Sequence, residues 1–320
     1  MMVDWTAIVP LFVAFAVSAA TGPVIIPILR RLKMGQTERK EGVQSHLKKA
    51  GTPTMGGIMI ILGVLVASLL FIVKCPKIGP VLFLTLAFSA VGFIDDFLKV
   101  VKRHPDGLLP KQKLIMQVII TAIFYVLMVH VAEVDLTLRI PFSGGKMLDI
   151  GFLAIPLMFF AIIGTVNGTN FTDGLDGLAS SVTTVVAVFF TVASLLMDAG
   201  LAPMAAGFAG ALMGFLIYNA FPAKVFMGDT GSLALGGFVA GMAYMMHMPL
   251  YILIIGLIYL VEVLSVMLQV TYFKATHGKR LFKMSPIHHH FELCGWSETK
   301  IVTVFTVITA LLCLVGLMAL

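Results

Sequence analysis

Charge is what this chain has least of. Asp, Glu, Lys and Arg make up only 12% of its 320 residues, against 59% hydrophobic residues and a mean hydropathy of +1.02. Soluble domains carry about 25% charged residues, so a soluble globular fold is excluded. Cysteine is nearly absent: Cys75, Cys294 and Cys313 fall in different regions without paired spacing, which excludes a disulfide framework and a CxxC metal site. No series of alternating strands suits a membrane barrel. No GxxxxGK[ST] loop occurs, so ATP use is not inferred.

Long apolar runs fill the space these absences leave. They recur at lengths of roughly 17 to 25 residues, enough for a helix to cross about 30 Å of hydrocarbon with every backbone group bonded within its own segment. The expected fold is therefore an all-α polytopic membrane protein, one integral domain over residues 1–320. Ten spans are predicted, near 5–29, 54–73, 80–97, 114–132, 150–167, 179–197, 203–219, 231–247, 249–272 and 301–320. The first is expected to be a retained anchor, because its basic cluster (Arg30, Arg31, Lys33) follows it rather than precedes it. The segments after odd-numbered spans hold 18 of the 22 Lys and Arg residues, so that side is expected to be cytoplasmic and both termini outside. The net charge of +6 is thus mainly a topology signal, with anionic headgroups or substrate as a further reason and no sign of nucleic acid. Residues 133–149 read as a small outer β-hairpin.

The scarce polar residues gather at span ends on the basic side. Asp95 and Asp96 close the third span, and neighbouring helix positions point about 100° apart. The two carboxylates should therefore serve different partners, one a metal or substrate and the other a neighbouring helix. Interfacial charges, with Lys99 as a partner one turn on, are the plainer alternative. Asn167, Asn170, Asp173 and Asp176 recur every third residue, which stacks them on one side of a helix and suits hydroxyls, a base edge or a cation. The other reading is a polar loop; the CDP-alcohol phosphotransferase pattern also uses Asp-Gly pairs, but its following Ala-Arg is missing. Asp229, between Gly228 and Thr-Gly-Ser, can approach Mg²⁺ closely, or else serve the start of a helix. Phe226 could stack on a planar base.

His288, His289 and His290 follow Pro286-Ile287 and precede Glu292. Zinc with His277 or Cys294 is disfavoured because adjacent histidines cannot share one tetrahedral ion. Donors to a pyrophosphate, sugar or nucleoside suit them better, with a solvated loop as the alternative. The string from Lys48 and Lys49 to Gly57 resembles an anion-binding helix start. Glu262 and Gln269 interrupt the ninth span on one face, where a charge costs roughly 2.5 to 3.5 kcal/mol unless paired or near water.

Taken in order, Gly51-Thr-Pro-Thr-Met-Gly-Gly57, Phe93-Ile-Asp-Asp-Phe-Leu-Lys99, Asn167 to Asp176, Phe226-Met-Gly-Asp229 and Pro286-Ile-His-His-His-Phe-Glu292 resemble the phospho-N-acetylmuramoyl-pentapeptide transferases of the polyprenyl-phosphate N-acetylhexosamine-1-phosphate transferase superfamily. The resemblance covers essentially the whole chain. The histidine triplet and the Gly51–Gly57 string favour this branch over the GlcNAc-1-phosphate branch. The resemblance implies Mg²⁺-dependent transfer of phospho-MurNAc-pentapeptide from UDP-MurNAc-pentapeptide to undecaprenyl phosphate in the bacterial plasma membrane, giving lipid I and UMP, by a homodimer. It also implies that Asp229 is the principal Mg²⁺ ligand, that Asp95 activates or positions the lipid phosphate and that Asp96 supports that site. Asn170, Asp173 and Asp176 would line the nucleoside and sugar region, with Phe226 and Asn219 near the uracil and Lys49 and Thr54 near the uridine. Lys111 or Lys113 would meet the phosphates, and His288, His289 and His290 the sugar and pyrophosphate. The ninth span, carrying Gln269, would be broken and tilted beside a groove for the polyprenyl tail. Whether Asp95 is a base or a nucleophile is open; direct attack by the ionised lipid phosphate is the expectation. A secondary transporter and a membrane scaffold are the readings from other function classes.

Overall fold

A computed structural model of the chain describes residues 4–32, 49, 51–100, 102 and 107–320. Lys33 and Lys48, which the charge reading uses, lie outside these. The helices are α1 (Trp5–Arg31), α2 (Gly57–Phe71), α3 (Ile78–Val100), α4 (Pro110–Val126), α5 (Ala154–Thr172), α6 (Leu178–Leu196), α7 (Ala202–Asn219), α8 (Gly228–Met245), α9 (Ile252–Ile255), α10 (Leu257–Ala275), α11 (Ile287–Leu293) and α12 (Glu298–Met318). A π-helical turn, Leu127–Val131, extends α4.

Among the described residues eight helical segments are long and apolar enough to cross a membrane, so the protein is a multi-pass all-α membrane protein. Two long helices fall outside that set for different reasons. α2 is apolar but only 15 residues long. α8 has 18 residues, yet Gly, Ala, Ser and Thr dilute its apolarity, and every residue from Thr230 to Met245 is buried. It packs between α3 and α5, with α2 beside its start. A helix surrounded by protein needs small side chains for close approach more than it needs lipid-compatible ones. Phe238 fixes its depth by stacking on Phe208 at 3.8 Å and meeting Phe190 edge-on at 6.3 Å.

Between α4 and α5, Leu138–Arg139 pairs antiparallel with Met147–Leu148, and Arg139 N–H donates to His247 O (2.7 Å) at the end of α8. The ninth apolar run is not one helix. Gly256 separates α9 from α10, and α10 buries both Glu262 and Gln269 on its protein-facing side. Val263 of α10, next to Glu262, joins Val118 of α4 and Phe159, Phe160, Ile163 and Asn167 of α5 around an open, mostly apolar groove of about 500 Å³.

Candidate active site

The ends of four helices meet at one place: the last turns of α3 with Asp95 and Asp96, the first turn of α4 with Lys113, the end of α5 with Asn170 and Asp173, and the first turn of α8 with Asp229. α4 can begin there because Pro110 needs no amide partner and Gln112 Oε1 accepts from Leu109 N–H (3.0 Å). α3 and α8 touch through backbone. A Cβ on Gly92 would overlap the Asp229 carbonyl, so only glycine lets the carboxylates of the two helices come this close.

Asp229 is the hub. Its Oδ2 accepts from Lys99 Nζ (3.2 Å) and Lys113 Nζ (3.1 Å), and its Oδ1 from Asn170 Nδ2 (2.8 Å), which also donates to Ser232 Oγ (2.8 Å). Lys99 Nζ reaches Asp95 Oδ2 at 2.5 Å as well, and Leu108 N–H donates to Asp95 Oδ1 (2.6 Å). Asp95 and Asp229 thus share an ammonium and lie within hydrogen-bonding reach of each other. Lys99 was read from sequence only as a partner, one turn on, of Asp95 or Asp96; its bridge to Asp229 depends on a contact across 130 positions, which spacing does not reveal.

Asp96 faces elsewhere. It accepts from Asp229 N–H (3.1 Å), Thr230 N–H (2.8 Å) and Thr230 Oγ1 (2.6 Å). It is therefore an N-cap for α8 supplied by a neighbouring helix, which no local capping pattern announces. Gly228, at φ +72°, makes the entry into α8, and a Cβ there would press on Asp96 Oδ2 at 2.6 Å and Thr54 Oγ1 at 2.7 Å. Thr54 is thereby placed at the cap, buried.

The every-third-residue stripe is only partly realised. α5 ends at Thr172 with Asp173 as its C-cap, and Gly177 at φ +77° turns the chain into α6. Asn170 and Asp173 face the hub, but Asp176 belongs to a turn and points away from it. Asp173 accepts no hydrogen bond from any described residue. Burial, together with the negative charges of Asp229, Asp96 and Asp176, holds its carboxyl well above the usual carboxylate range. Asp176 instead accepts from Lys49 Nζ (2.7 Å) and Ala223 N–H (2.9 Å), while its own N–H donates to Glu298 Oε1 (2.6 Å). Lys49 Nζ also reaches Glu298 Oε1 at 2.6 Å. Burial alone would depress the Lys49 ammonium, but its bonds to Asp176 and Glu298 outweigh that and raise it above the ordinary lysine value.

The glycine-rich entry to α2 departs from the anion-binding expectation. Gly56 N–H donates to Phe226 O (2.8 Å), Gly57 N–H to Met227 O (2.9 Å), and Phe226 N–H to Pro53 O (2.8 Å). The amides that would cradle an anion are spent on clamping the two loops together. That clamp leaves Phe226 half-buried next to the hub.

The histidines do three different things. His288 is fully buried, with Nδ1 on Glu262 Oε2 at 3.0 Å and its Nε2 edge packed against Gly174 of the aspartate loop. Glu262 is likewise fully buried, so the polar side chain that interrupts α10 is hydrogen-bonded within the protein. His289 Nδ1 meets Glu292 Oε2 at 2.7 Å. His290 Nδ1 accepts from Lys283 N–H (3.2 Å) on the exposed flank. Of the remaining predicted residues, Asn219 is enclosed, accepting from Ser180 Oγ (2.8 Å) and donating to Val225 O (3.0 Å). Gln269 Oε1 accepts from Leu281 and Phe282 N–H (3.1 and 2.9 Å), pinning the segment that leads to α11. Lys111 is exposed in the first turn of α4. Among the described residues no three His, Cys, Asp or Glu side chains form a ready-made metal cage.

All four helices that meet at the Asp229 hub fall inside the stretch that a family model matches. The model of glycosyl transferase family 4 matches residues 78–247, from the start of α3 through α8, and a phospho-N-acetylmuramoyl-pentapeptide-transferase signature matches residues 49–61. The phospho-N-acetylmuramoyl-pentapeptide-transferase of Acetivibrio thermocellus is 49% identical over 310 residues, covering 96% of this chain and 93% of that protein. The chain belongs to this transferase family. The proteins of the same name from Clostridium botulinum and Caldicellulosiruptor bescii are 49% and 45% identical, over 98% and 99% of this chain and 97% and 98% of theirs. The protein is accordingly an enzyme, a transferase of this class acting in peptidoglycan synthesis. The clamp between residues 53–57 and 226–227 now has a reason: the signature segment holds the Asp229 loop in place.

Proposed function

We propose that the enzyme transfers phospho-MurNAc-pentapeptide from UDP-MurNAc-pentapeptide to undecaprenyl phosphate, releasing UMP and forming lipid I, with Mg²⁺ as cofactor. The observation that carries this reading is the meeting of Asp95, Asp229, Lys99 and Lys113 at one place, in a chain 49% identical to a phospho-N-acetylmuramoyl-pentapeptide-transferase. In the reaction an oxygen of the ionised lipid phosphate attacks the sugar-bearing phosphorus of the donor. A new P–O bond forms, the P–O bond to UMP breaks, and one pyrophosphate replaces another. Both reactants are anionic, so the work of the site is charge neutralisation and in-line positioning.

The donor set fits a hard cation. Asp229 and Asp95 face each other, and the Asp173 carboxyl, crowded by the charges of Asp229, Asp96 and Asp176, accepts no hydrogen bond from any described residue. One or two carboxylates completed by water and phosphate is the usual provision for Mg²⁺. Asp229 would hold the ion, with Asp95 facing it, and bound Mg²⁺ would neutralise pyrophosphate oxygens. Lys99 and Lys113 are the chain's own cations for those oxygens, and Asn170 fixes the Asp229 carboxylate. Asp95 orients the attacking phosphate through Lys99; a phosphate already ionised needs no base.

The groove beside α10 suits the polyprenyl tail, since its wall is apolar and it runs from Phe160 toward Asn167, one turn from Asn170. Ten spans, with α2 and α8 counted, would put both termini outside and the site on the cytoplasmic face, as the distribution of Lys and Arg requires. The test is UMP release by purified protein with UDP-MurNAc-pentapeptide and UDP-GlcNAc in parallel, each with undecaprenyl phosphate and with or without Mg²⁺. Mg²⁺-dependent release from the first donor alone is expected. Release from UDP-GlcNAc would move the chain to the other branch of the superfamily, and metal-independent release would remove the cofactor.

A further inference from the structure

Glu298 is the first residue of α12, far in sequence from Lys49 and Asp176, yet it reaches into the loops around the site. One of its oxygens, Oε1, accepts from both Lys49 Nζ and Asp176 N–H, each at 2.6 Å. Lys49 spends its charge on Glu298 and Asp176 together, and Asp176 passes the connection on by accepting from Ala223 N–H at 2.9 Å. A single carboxylate thereby ties the entry to α2, the α5–α6 turn and the α7–α8 loop to the start of α12. Glu298 itself is anchored from behind, because Ser297 caps α12 through Lys300 N–H (3.3 Å) and the helix start favours an acidic residue.

We propose that Glu298 is a positioning residue for the nucleotide end of the reaction, setting the Lys49 ammonium and the Asp176 turn that together form that wall of the site. The inference rests on the donor reading above, in which Lys49 and Asp176 face the uridine and sugar. Glu298 acts through them and touches no reacting atom. Removing it leaves Lys49 with one carboxylate and leaves the Asp176 amide without an acceptor, so the wall loosens while the Asp95–Lys99–Asp229 hub, which shares no hydrogen bond with Glu298, keeps its geometry.

The experiment measures UMP affinity by calorimetry, and KM and kcat for UMP release, in wild type, Glu298→Ala, Glu298→Gln, Lys49→Ala and the double variant Lys49→Ala/Glu298→Ala. Loss of hydrogen bonds to a charged group predicts UMP binding and donor KM weakened about ten-fold in Glu298→Ala. KM for undecaprenyl phosphate should move less than about two-fold, because the acceptor sits at the other end of the site. Glu298→Gln keeps an accepting oxygen and should recover part of the loss. In the Lys49→Ala background, Glu298→Ala should add clearly less than its single effect of about ten-fold, since the part carried by Lys49 is already gone and only the Asp176 amide remains. Equal losses for donor and acceptor, or effects that multiply fully in the double variant, would overturn the inference and leave Glu298 a general structural support. Wild type that neither binds UMP nor turns over would instead sink the proposed function, and this inference with it.

Discussion

Asp96→Ala separates a helix cap from a catalytic group. The substitution leaves the Asp229 and Thr230 amides and the Thr230 hydroxyl without their acceptor, in a buried place. Loss of a cap costs about 1 to 2 kcal/mol, and hydrogen bonds to a charged acceptor are worth about 1.5 to 3 kcal/mol each. These overlap at one carboxylate, so about 3 to 4 kcal/mol is the expected total. At about 2 °C per kcal/mol for a chain of this size, thermal unfolding followed in detergent should fall by roughly 6 to 8 °C. Asp96→Asn keeps one acceptor but turns an NH₂ toward a donor, and should lie between. Turnover should fall too, because one of the lost bonds fixes the backbone of Asp229. The reasoning fails if Asp96→Ala unfolds at the wild-type temperature while turnover is abolished, since that is the signature of a group acting directly on substrate.

Gly92→Ala should lower turnover at least about ten-fold by pushing the Asp229 carbonyl away from α3, on top of the roughly 1 to 3 kcal/mol typical of overpacking; activity assays with unfolding curves check both. Lys49 carries a raised pKa, so its contribution to stability is fully present below the ordinary lysine value and is lost only as the pH rises through the raised one. The unfolding-temperature gap between wild type and Lys49→Gln should therefore stay constant over roughly pH 6 to 9 and close only in stronger alkali. His289→Ala should raise KM or lower kcat without moving the Mg²⁺ dependence, because its ring is paired with Glu292; a titration of activity against Mg²⁺ would expose a metal role as a shifted midpoint.

Much of this molecule could be read before any coordinates. Hydropathy locates the apolar helices because lipid enforces apolar side chains and internal backbone bonding on whatever it touches. The same logic explains why α8 is weak by apolarity yet central: it meets protein on all sides, where small residues count for more. The site was legible as a set of polar residues at span ends, and the differing directions of Asp95 and Asp96 followed from helix geometry alone. What each residue binds was not. Asp96 serves α8 through a contact spanning 134 positions, Lys113 meets Asp229 across 116, and Glu298 meets Lys49 across 249. Such pairings are set by packing and leave no local pattern. Asp176 was misplaced for a more local reason: continuing the helix past Thr172 put it in the stripe, whereas the Asp-Gly steps at 173–174 and 176–177 favour a turn. The glycine-rich entry to α2 looked like an anion site because it is basic and glycine-rich, and the 226–227 segment that takes up its amides is distant in sequence.

The most direct test of the account is UMP release from UDP-MurNAc-pentapeptide and undecaprenyl phosphate by wild type and Asp229→Asn across a Mg²⁺ titration. An Asp229-centred site predicts turnover at least about two orders of magnitude lower in the variant at every Mg²⁺ concentration, in protein that elutes and unfolds like wild type. Near-normal, Mg²⁺-dependent turnover in Asp229→Asn would contradict it and move the metal and the chemistry to another part of the cluster.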